Sequence, residues 1–364
     1  MGNCNLGIAS AALRASPPLL LNPKLSLLLP IDTHSHFLPD FYREALEANG
    51  HKNPDGMPAV PQWSEKAHLE MMDRLNITKS IISISTPGTH LIPEEDSAAI
   101  DLTRRTNAFA ADLKKRHPTR FGYFASLPLP AVQASLVELE KAFEEGADGI
   151  TLESNHHGIY LGDSRFDAVF EALDRHKAKL FIHPTTGCFC PSGTAGAGTK
   201  EVVSVNPLKE RLPAPVLEFF FDTARCVANL FLSGTVRRYP NITYFIGHMG
   251  GAIPPVLSRF LGFANVVQGY DVEKWTEGDA LETLNERFYF DMAGWAFPGQ
   301  WKGLTDGVGI GFGRILYGSD FPFTPAPAVE MFVKSMDEGT EGWKEEDVER
   351  AYFGNAAKLF KVEE

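Results

Sequence analysis

From residue 28 onward the chain alternates between short apolar runs and longer amphipathic segments. Eight runs are rich in β-branched and aromatic residues: 28–34, 80–85, 121–126, 149–153, 179–183, 242–248, 288–292 and 315–320. They are near-continuous rather than alternating, which is the pattern of strands covered on both faces. The segments between them carry apolar residues at helical spacing. This predicts helices over 94–117 and 131–145, ending near Pro118 and Gly146, and a long one over 217–239, stopped by Pro240. Another is predicted to start at Ser164 as N-cap, with Phe166, Val169, Phe170 and Leu173 on one face. Eight strand–helix repeats point to an α/β fold of the (β/α)8 TIM-barrel type, with an open doubly wound sheet as the competitor.

Two stretches depart from the repeat. Residues 49–62 and 184–213 are irregular inserts, the second rich in Pro, Gly, Thr and Cys, and such loops form lids, substrate walls or subunit contacts. The alternating glycines from Gly307 to Gly313 precede a strand instead of joining a strand to a helix, so they read as a turn and not a phosphate loop. Residues 26–364 are expected to form a single barrel domain, preceded by a flexible tail over 1–25. The apolar runs of that tail are broken by Asn22, Pro23, Lys24 and Ser26, too short for a membrane span and poorly shaped for a signal peptide. Leu6 stands where a myristoylation signal needs Ser or Thr.

The formal net charge of −12 over 364 residues argues against a nucleic-acid partner held through phosphates. It leaves an anionic substrate open, because a local metal or Arg can outweigh the overall charge. Cys4, Cys188, Cys190 and Cys226 form no C-x-x-C pair. They read as reduced thiols of an intracellular, cytoplasmic protein.

The strand ends carry the candidate chemistry. His34 and His36 are separated by one residue, and residues i and i+2 of a strand share a face, so both imidazoles can aim at one point. His183, His248 and Asp320 end later runs. In a barrel all five fall on the C-terminal rim, where active sites lie. Three imidazoles and a carboxylate fit one Zn2+ with an open position; Mn2+ or Mg2+ are the alternatives.

The motifs Asp32-Thr33-His34-Ser35-His36, Phe181-Ile182-His183-Pro184, Gly247-His248-Met249-Gly250-Gly251 and Tyr317-Gly318-Ser319-Asp320-Phe321-Pro322 resemble those of the amidohydrolase superfamily. Within it the chain is similar to the metal-dependent decarboxylases, which include aminocarboxymuconate-semialdehyde decarboxylase. The resemblance implies His34, His36, His183 and Asp320 as metal ligands, and His248 with Asp320 as the catalytic groups. Two-metal relatives carry a carboxylated Lys at the end of the fourth strand; here that strand ends Leu152-Glu153-Ser154, which implies one metal. Arg259 matches an Arg that reaches a substrate carboxylate from a neighbouring subunit, so a homodimer is implied; an ordinary solvated helix Arg is the alternative. The stretch before Trp63 lacks the further arginines of that decarboxylase, so an aromatic monoacid is expected rather than a diacid.

Among weaker candidates, Asp291 could orient His248 or meet a substrate hydroxyl, and Trp63, Trp295, Phe297 and Phe323 could wall a flat ring. His156 and His157 form a loop pair with no carboxylate partner in view and are left out of the site; His51, His68, His90, His117 and His176 carry no argument. The expected activity is non-oxidative decarboxylation of an ortho-hydroxy aromatic acid without organic cofactor. The resemblance extends to 6-methylsalicylate decarboxylases of polyketide pathways, which form 3-methylphenol and CO2. A one-metal hydrolase of a lactone or amide, and a non-enzymatic metal-binding barrel, are the competing readings.

Overall fold

The computed structural model describes residues 29–189, 203–324 and 326–362. The expected tail over 1–25, with Cys4, Cys190 and the middle of the 184–213 insert, lies outside them. Eight parallel strands pair in sequence order: β1 (Ile31–His36), β2 (Lys79–Ser83), β3 (Phe121–Ser126), β4 (Gly149–Glu153), β5 (Lys179–His183), β6 (Thr243–Ile246), β7 (Phe288–Asp291) and β8 (Ile315–Leu316). The seam between β8 and β1 is held by a parallel bridge of Asp32 with Tyr317 and by Thr33 N–H donating to the Tyr317 carbonyl at 3.0 Å. The sheet therefore closes on itself, and the expected (β/α)8 barrel is the observed fold.

The interior explains why the strands are apolar throughout. Ile31, Ile81, Phe124, Phe181, Phe245 and Leu316 meet inside the barrel, and a C-terminal helix, Asn355–Phe360, brings Ala356, Ala357 and Phe360 against them. Strand β4 gives up its place at this level. A Cβ on Gly149 would meet the Lys179 carbonyl of β5 and stand 2.8 Å from the Phe124 ring, so glycine is what lets both neighbours close in. Helices α1 (Asp40–Ala48), α2 (Glu65–Arg74), α3 (Asp96–Arg116), α4 (Val132–Glu144), α5 (Asp167–Arg175), α6 (Ala214–Leu232), α7 (Thr235–Arg238), α8 (Ile253–Val266) and α9 (Glu277–Arg287) follow the strands.

Several boundaries differ from expectation. Strand β1 starts three residues later than predicted and runs on through His36. Strand β6 stops at Ile246, so His248 sits in the turn beyond it. The predicted helix over 217–239 is two helices, because Gly234 takes φ +75 and ends the first. Ser164 is not an N-cap: the Asp163 carboxylate accepts from Arg165 N–H and caps a short 3₁₀ turn, after which α5 begins. Of the alternating glycines, Gly307 lies inside a π-helical turn, Gly303–Val308, which Gly309 ends at φ +93.

Candidate active site

Strand β1 supplies the first two groups. Its register against β2 shifts between Asp32 and Ser35, a bulge-like irregularity at the position of His34. Both imidazoles are fully buried, and their planes are nearly perpendicular at 5.2 Å. His34 rests edge-on against Phe181, the top of the interior layer, at 4.9 Å. His183, at the end of β5, stands 4.8 Å from His36 and 5.4 Å from His34, ring to ring.

Asp320 is brought over the pair by the β8–β1 seam. The amides of Ser319 and Asp320 both donate to the His34 carbonyl, at 3.2 and 2.8 Å. Asp320 itself takes φ +56, a left-handed conformation that is uncommon away from glycine and concentrated at functional sites. Asp320 Oδ1 lies 3.6 Å from His34 Nε2 and 3.2 Å from His36 Nε2, and its Oδ2 lies 3.7 Å from His248 Nε2. His248 and Met249 also have positive φ, at 54° and 52°.

His34, His36, His183 and Asp320 each offer a ligand atom within 4.8 Å of the others. The Nε2 atoms of His34 and His36 are buried and make no hydrogen bond. Buried nitrogens with no partner are costly. A divalent cation would satisfy both, and imidazole with carboxylate is a common donor set for such ions. These residues therefore fit a single bound metal. The electrostatics agree. Burial pushes the His34 imidazole down, but Asp291, Asp320 and Asp32 hold it positive, up to about 9. His36 and His183 are driven below their ordinary value, first by burial, and mutual repulsion among the imidazoles adds to this. The carboxylates around His34 thus favour positive charge at this position.

Three buried carboxylates support the cluster. Asp32 does not face the metal position. It accepts from Ser319 N–H and His34 N–H through Oδ1, and from the Ser319 and Ser80 hydroxyls through Oδ2. Burial raises its carboxyl to about 6, partly countered by the Ser319 contacts. Asp291 lies beneath the cavity rather than on its lining, in contact with His248 as one of the two expected roles required. Its Oδ2 pairs with His34 Nδ1 at 3.0 Å, and its Oδ1 accepts from the amides of His248 and Ala293. Such a carboxylate fixes the tautomer and ring orientation of a ligating His. Glu153, at the end of β4, lies 3.5 Å from His183 Nδ1, and burial holds its carboxyl well above the usual range.

Above the cluster opens a cavity of about 390 Å3. His183, His248 and Asp320 form its floor. Phe219, Phe220, Trp295, Phe323 and Phe332 give it aromatic walls, and Asp55, Ser85 and Thr86 give it one polar side. Among the described residues that line it, none is Lys or Arg. Trp295 and Phe323 are where the sequence placed them. Trp63 and Phe297 are not: Trp63 donates to His68 Nδ1 at 3.1 Å and packs on Phe37 and Phe109, while Phe297 lies buried against Trp301. Arg259 is exposed on α8, stacked over Phe263 at 4.8 Å, and does not line this cavity. Phe219 and Phe220 were missed because their helix reads simply as amphipathic. Asp55 was missed because nothing in an irregular insert marks which residue turns inward.

The sequence matches the amidohydrolase family over residues 31–362. The chain belongs to the amidohydrolase family. Among characterised relatives of this amidohydrolase, decarboxylase yanB of Aspergillus niger is 35% identical over 342 residues, covering 91% of this chain and 87% of that protein. The 6-methylsalicylic acid decarboxylase acuB of Aspergillus aculeatus is 31% identical over 336 residues, covering 91% and 96%. A crystal structure of a 5-carboxyvanillate decarboxylase variant from Novosphingobium aromaticivorans, with bound manganese and 3-methoxy-4-hydroxy-5-nitrobenzoic acid, superposes with a TM-score of 0.75 at 24% identity, covering 92% of this chain and 98% of that one. No helix among the described residues is long and apolar enough to cross a membrane.

Proposed function

We propose that this amidohydrolase converts 6-methylsalicylate to 3-methylphenol and CO2 as a step of polyketide metabolism. At the coarser level it is a metal-dependent decarboxylase of hydroxylated aromatic acids, a carboxy-lyase. The observation that carries the finer reading is the cavity: an aromatic slot of about 390 Å3 whose floor is the histidine–aspartate cluster and whose described lining holds no other cationic group. A monoacid finds its counter-charge only at that floor. A second carboxylate would face Asp55 instead.

His34, His36, His183 and Asp320 would hold the metal. When bound, it supplies Lewis-acid charge that anchors the carboxylate and neighbouring hydroxyl. Zn2+ suits the imidazoles, and Mn2+ is equally compatible with the mixed nitrogen and oxygen donors. The remaining work belongs to the chain. His248 Nε2 and Asp320 Oδ2, 3.7 Å apart at the cavity floor, form the proton-delivering pair. The ring carbon bearing the carboxylate takes that proton, the bond to the carboxyl carbon then breaks, and its electron pair returns to the ring as CO2 leaves. Phe219, Phe220 and Phe323 keep water from the ring, which favours loss of charge on the way to a neutral product.

A homodimer is proposed on the exposed apolar residues of α6 and α8, Val216, Phe221, Phe263 and Val266, of which Phe263 lies under Arg259. A partner docked there would place Arg259 at a cavity mouth in trans. A cytoplasmic location accords with the thiol reading of the cysteines. The decisive experiment supplies purified, metal-loaded protein with a panel of salicylates and measures CO2 and phenol. CO2 matched one-to-one by 3-methylphenol supports the reading. Turnover of lactones or amides without CO2 would transfer the site to the hydrolase alternative.

A further inference from the structure

The substrate cavity owes its polar side in part to an irregular insert. Asp55 comes from the 49–62 insert, and Ser85 and Thr86 follow β2. Asp55 and Asp320 are the carboxylates among the described lining residues, and Asp320 belongs to the histidine cluster at the floor. Pro54 and Asp55 also line a smaller neighbouring cavity of about 200 Å3, together with His90 and His157 from the loops after β2 and β4.

Asp55 is held by donors from two other segments. Its Oδ1 accepts from the Thr186 hydroxyl and, at 3.3 Å, from Thr186 N–H. Its Oδ2 accepts from the Thr86 hydroxyl at 2.9 Å. Thr86 Oγ1 lies 2.7 Å from Thr185 Oγ1, and because Thr86 spends its proton on Asp55, Thr185 donates to it. One carboxylate thus ties the insert to the loops after β2 and β5. Burial pushes the Asp55 carboxyl above its ordinary value; the Thr186 and Thr86 contacts pull it back, and His51 adds less. All three contacts bring protons to its oxygens, which suits the ionised form. Among the described residues no Lys or Arg pairs with it, so the charge is hydrogen-bonded and left largely uncompensated.

We propose that Asp55 is the specificity-determining residue of the substrate cavity: its clasped negative charge admits neutral ring substituents and rejects a second anionic one. This rests on the proposed reading of the floor as the place that holds the substrate's carboxylate. With that group at the histidine cluster, a further carboxylate, sulfonate or phosphate on the ring meets the field of Asp55 in a slot whose other walls are aromatic and screen it poorly. The discrimination comes from repulsion of the wrong substrate, not from an added contact with the right one. A methyl or hydroxyl substituent meets no such penalty.

Asp55→Asn isolates the charge. The amide oxygen still accepts from Thr186, and its NH2 donates to Thr86, which then donates to Thr185, so the clasp survives with one bond reversed. The probes are 2-nitrophenols, whose nitro group stands in for the carboxylate that would leave. Each carries a carboxylate at one free ring position, or a carboxamide there as its neutral match. Calorimetry on Zn2+-loaded, full-length protein should show the carboxamides binding at least about tenfold more tightly than the carboxylates, and Asp55→Asn should shrink that ratio about tenfold. Thr186→Val loosens the clasp, keeps the charge and should preserve the ratio. Equal binding of both series by the wild type, or a ratio that Asp55→Asn leaves unchanged, overturns the proposal. So does a ratio that falls as far in Thr186→Val, which would assign the selectivity to the shape of the wall. CO2 release from salicylates is measured separately. Its absence, with the ratio responding to Asp55→Asn, sinks the decarboxylase reading alone; its presence, with an unresponsive ratio, sinks this inference alone.

Discussion

The two histidine clusters sit on one rim and are built in opposite ways. His34, His36 and His183 are held by strands, so the register of the sheet sets their positions, and Asp320 is pinned to the His34 carbonyl through the β8–β1 seam. His90 and His157 are held by loops and meet only through a side-chain hydrogen bond. A strand-borne cluster is rigid before any ligand arrives. Chemistry that needs fixed geometry belongs to the first.

The largest expected effect breaks the comparison most cleanly. His183→Ala or Asp320→Ala should lower kcat/KM by at least about 10³-fold, the several kcal/mol that a metal's charge contributes, and release the catalytic ion. His90→Ala should leave turnover of the metal-loaded enzyme within a few-fold of wild type. Steady-state assays read alongside metal analysis check both, and equal losses in the two variants would erase the distinction between the clusters.

Acid stability comes next. His68 accepts from Trp63 Nε1–H at Nδ1 and meets Ser80 Oγ through Nε2, so a second proton has no place to go. Burial pushes its pKa down to about 3, helped by His36 and Arg120. The folded value lies below the unfolded one, near 6.5, so the unfolded chain takes the proton first. The stability His68 contributes is whole above pH 6.5 and is lost as pH falls towards 3, on the order of 4 kcal/mol across that window. Chemical denaturation between pH 7 and 4 should show this slope, and a non-titrating His68→Gln should flatten it. An unchanged slope would mean that His68 does not stay neutral beneath β1.

The supporting carboxylates should matter less. Asp291→Asn leaves His34 in place but removes the charge on its Nδ1 partner, and metal affinity should fall by about 10- to 100-fold. Competition with a fluorescent chelator measures this. Affinity as high as wild type would show that the strand alone orients His34.

How much of this could be read beforehand follows the same division. The eight runs were visible because a buried parallel strand has to be apolar almost throughout, and the i, i+2 pair at His34 and His36 has a period of its own. Asp291 was visible as a strand end that could orient His248, but nothing local says that His34 and Ala293 also consume its oxygens. His156 and His157 were set aside for want of a carboxylate partner. The structure supplies one at one remove, Asp96, through His90. Loop contacts between residues 67 positions apart leave no periodic trace in sequence.

The cavity walls give the smallest effect and the finest division. Phe323 stands edge-on to His36 at 5.5 Å, whereas Trp295 is 61% exposed and touches Phe332 at the rim, 5.0 Å away. Phe323 therefore belongs with the fixed cluster and Trp295 with the adaptable mouth. Trp295→Ala should raise KM about three- to tenfold with kcat nearly unchanged, because a half-solvated aromatic wall contributes about 1 kcal/mol of binding that is equal in ground and transition states. Phe323→Ala should lower kcat as well, since the space it leaves lets water reach the imidazole floor. Separate kcat and KM values for the two variants decide it. A fall in kcat confined to Trp295→Ala would mean that the mouth, and not the floor, governs access of water to the reacting ring.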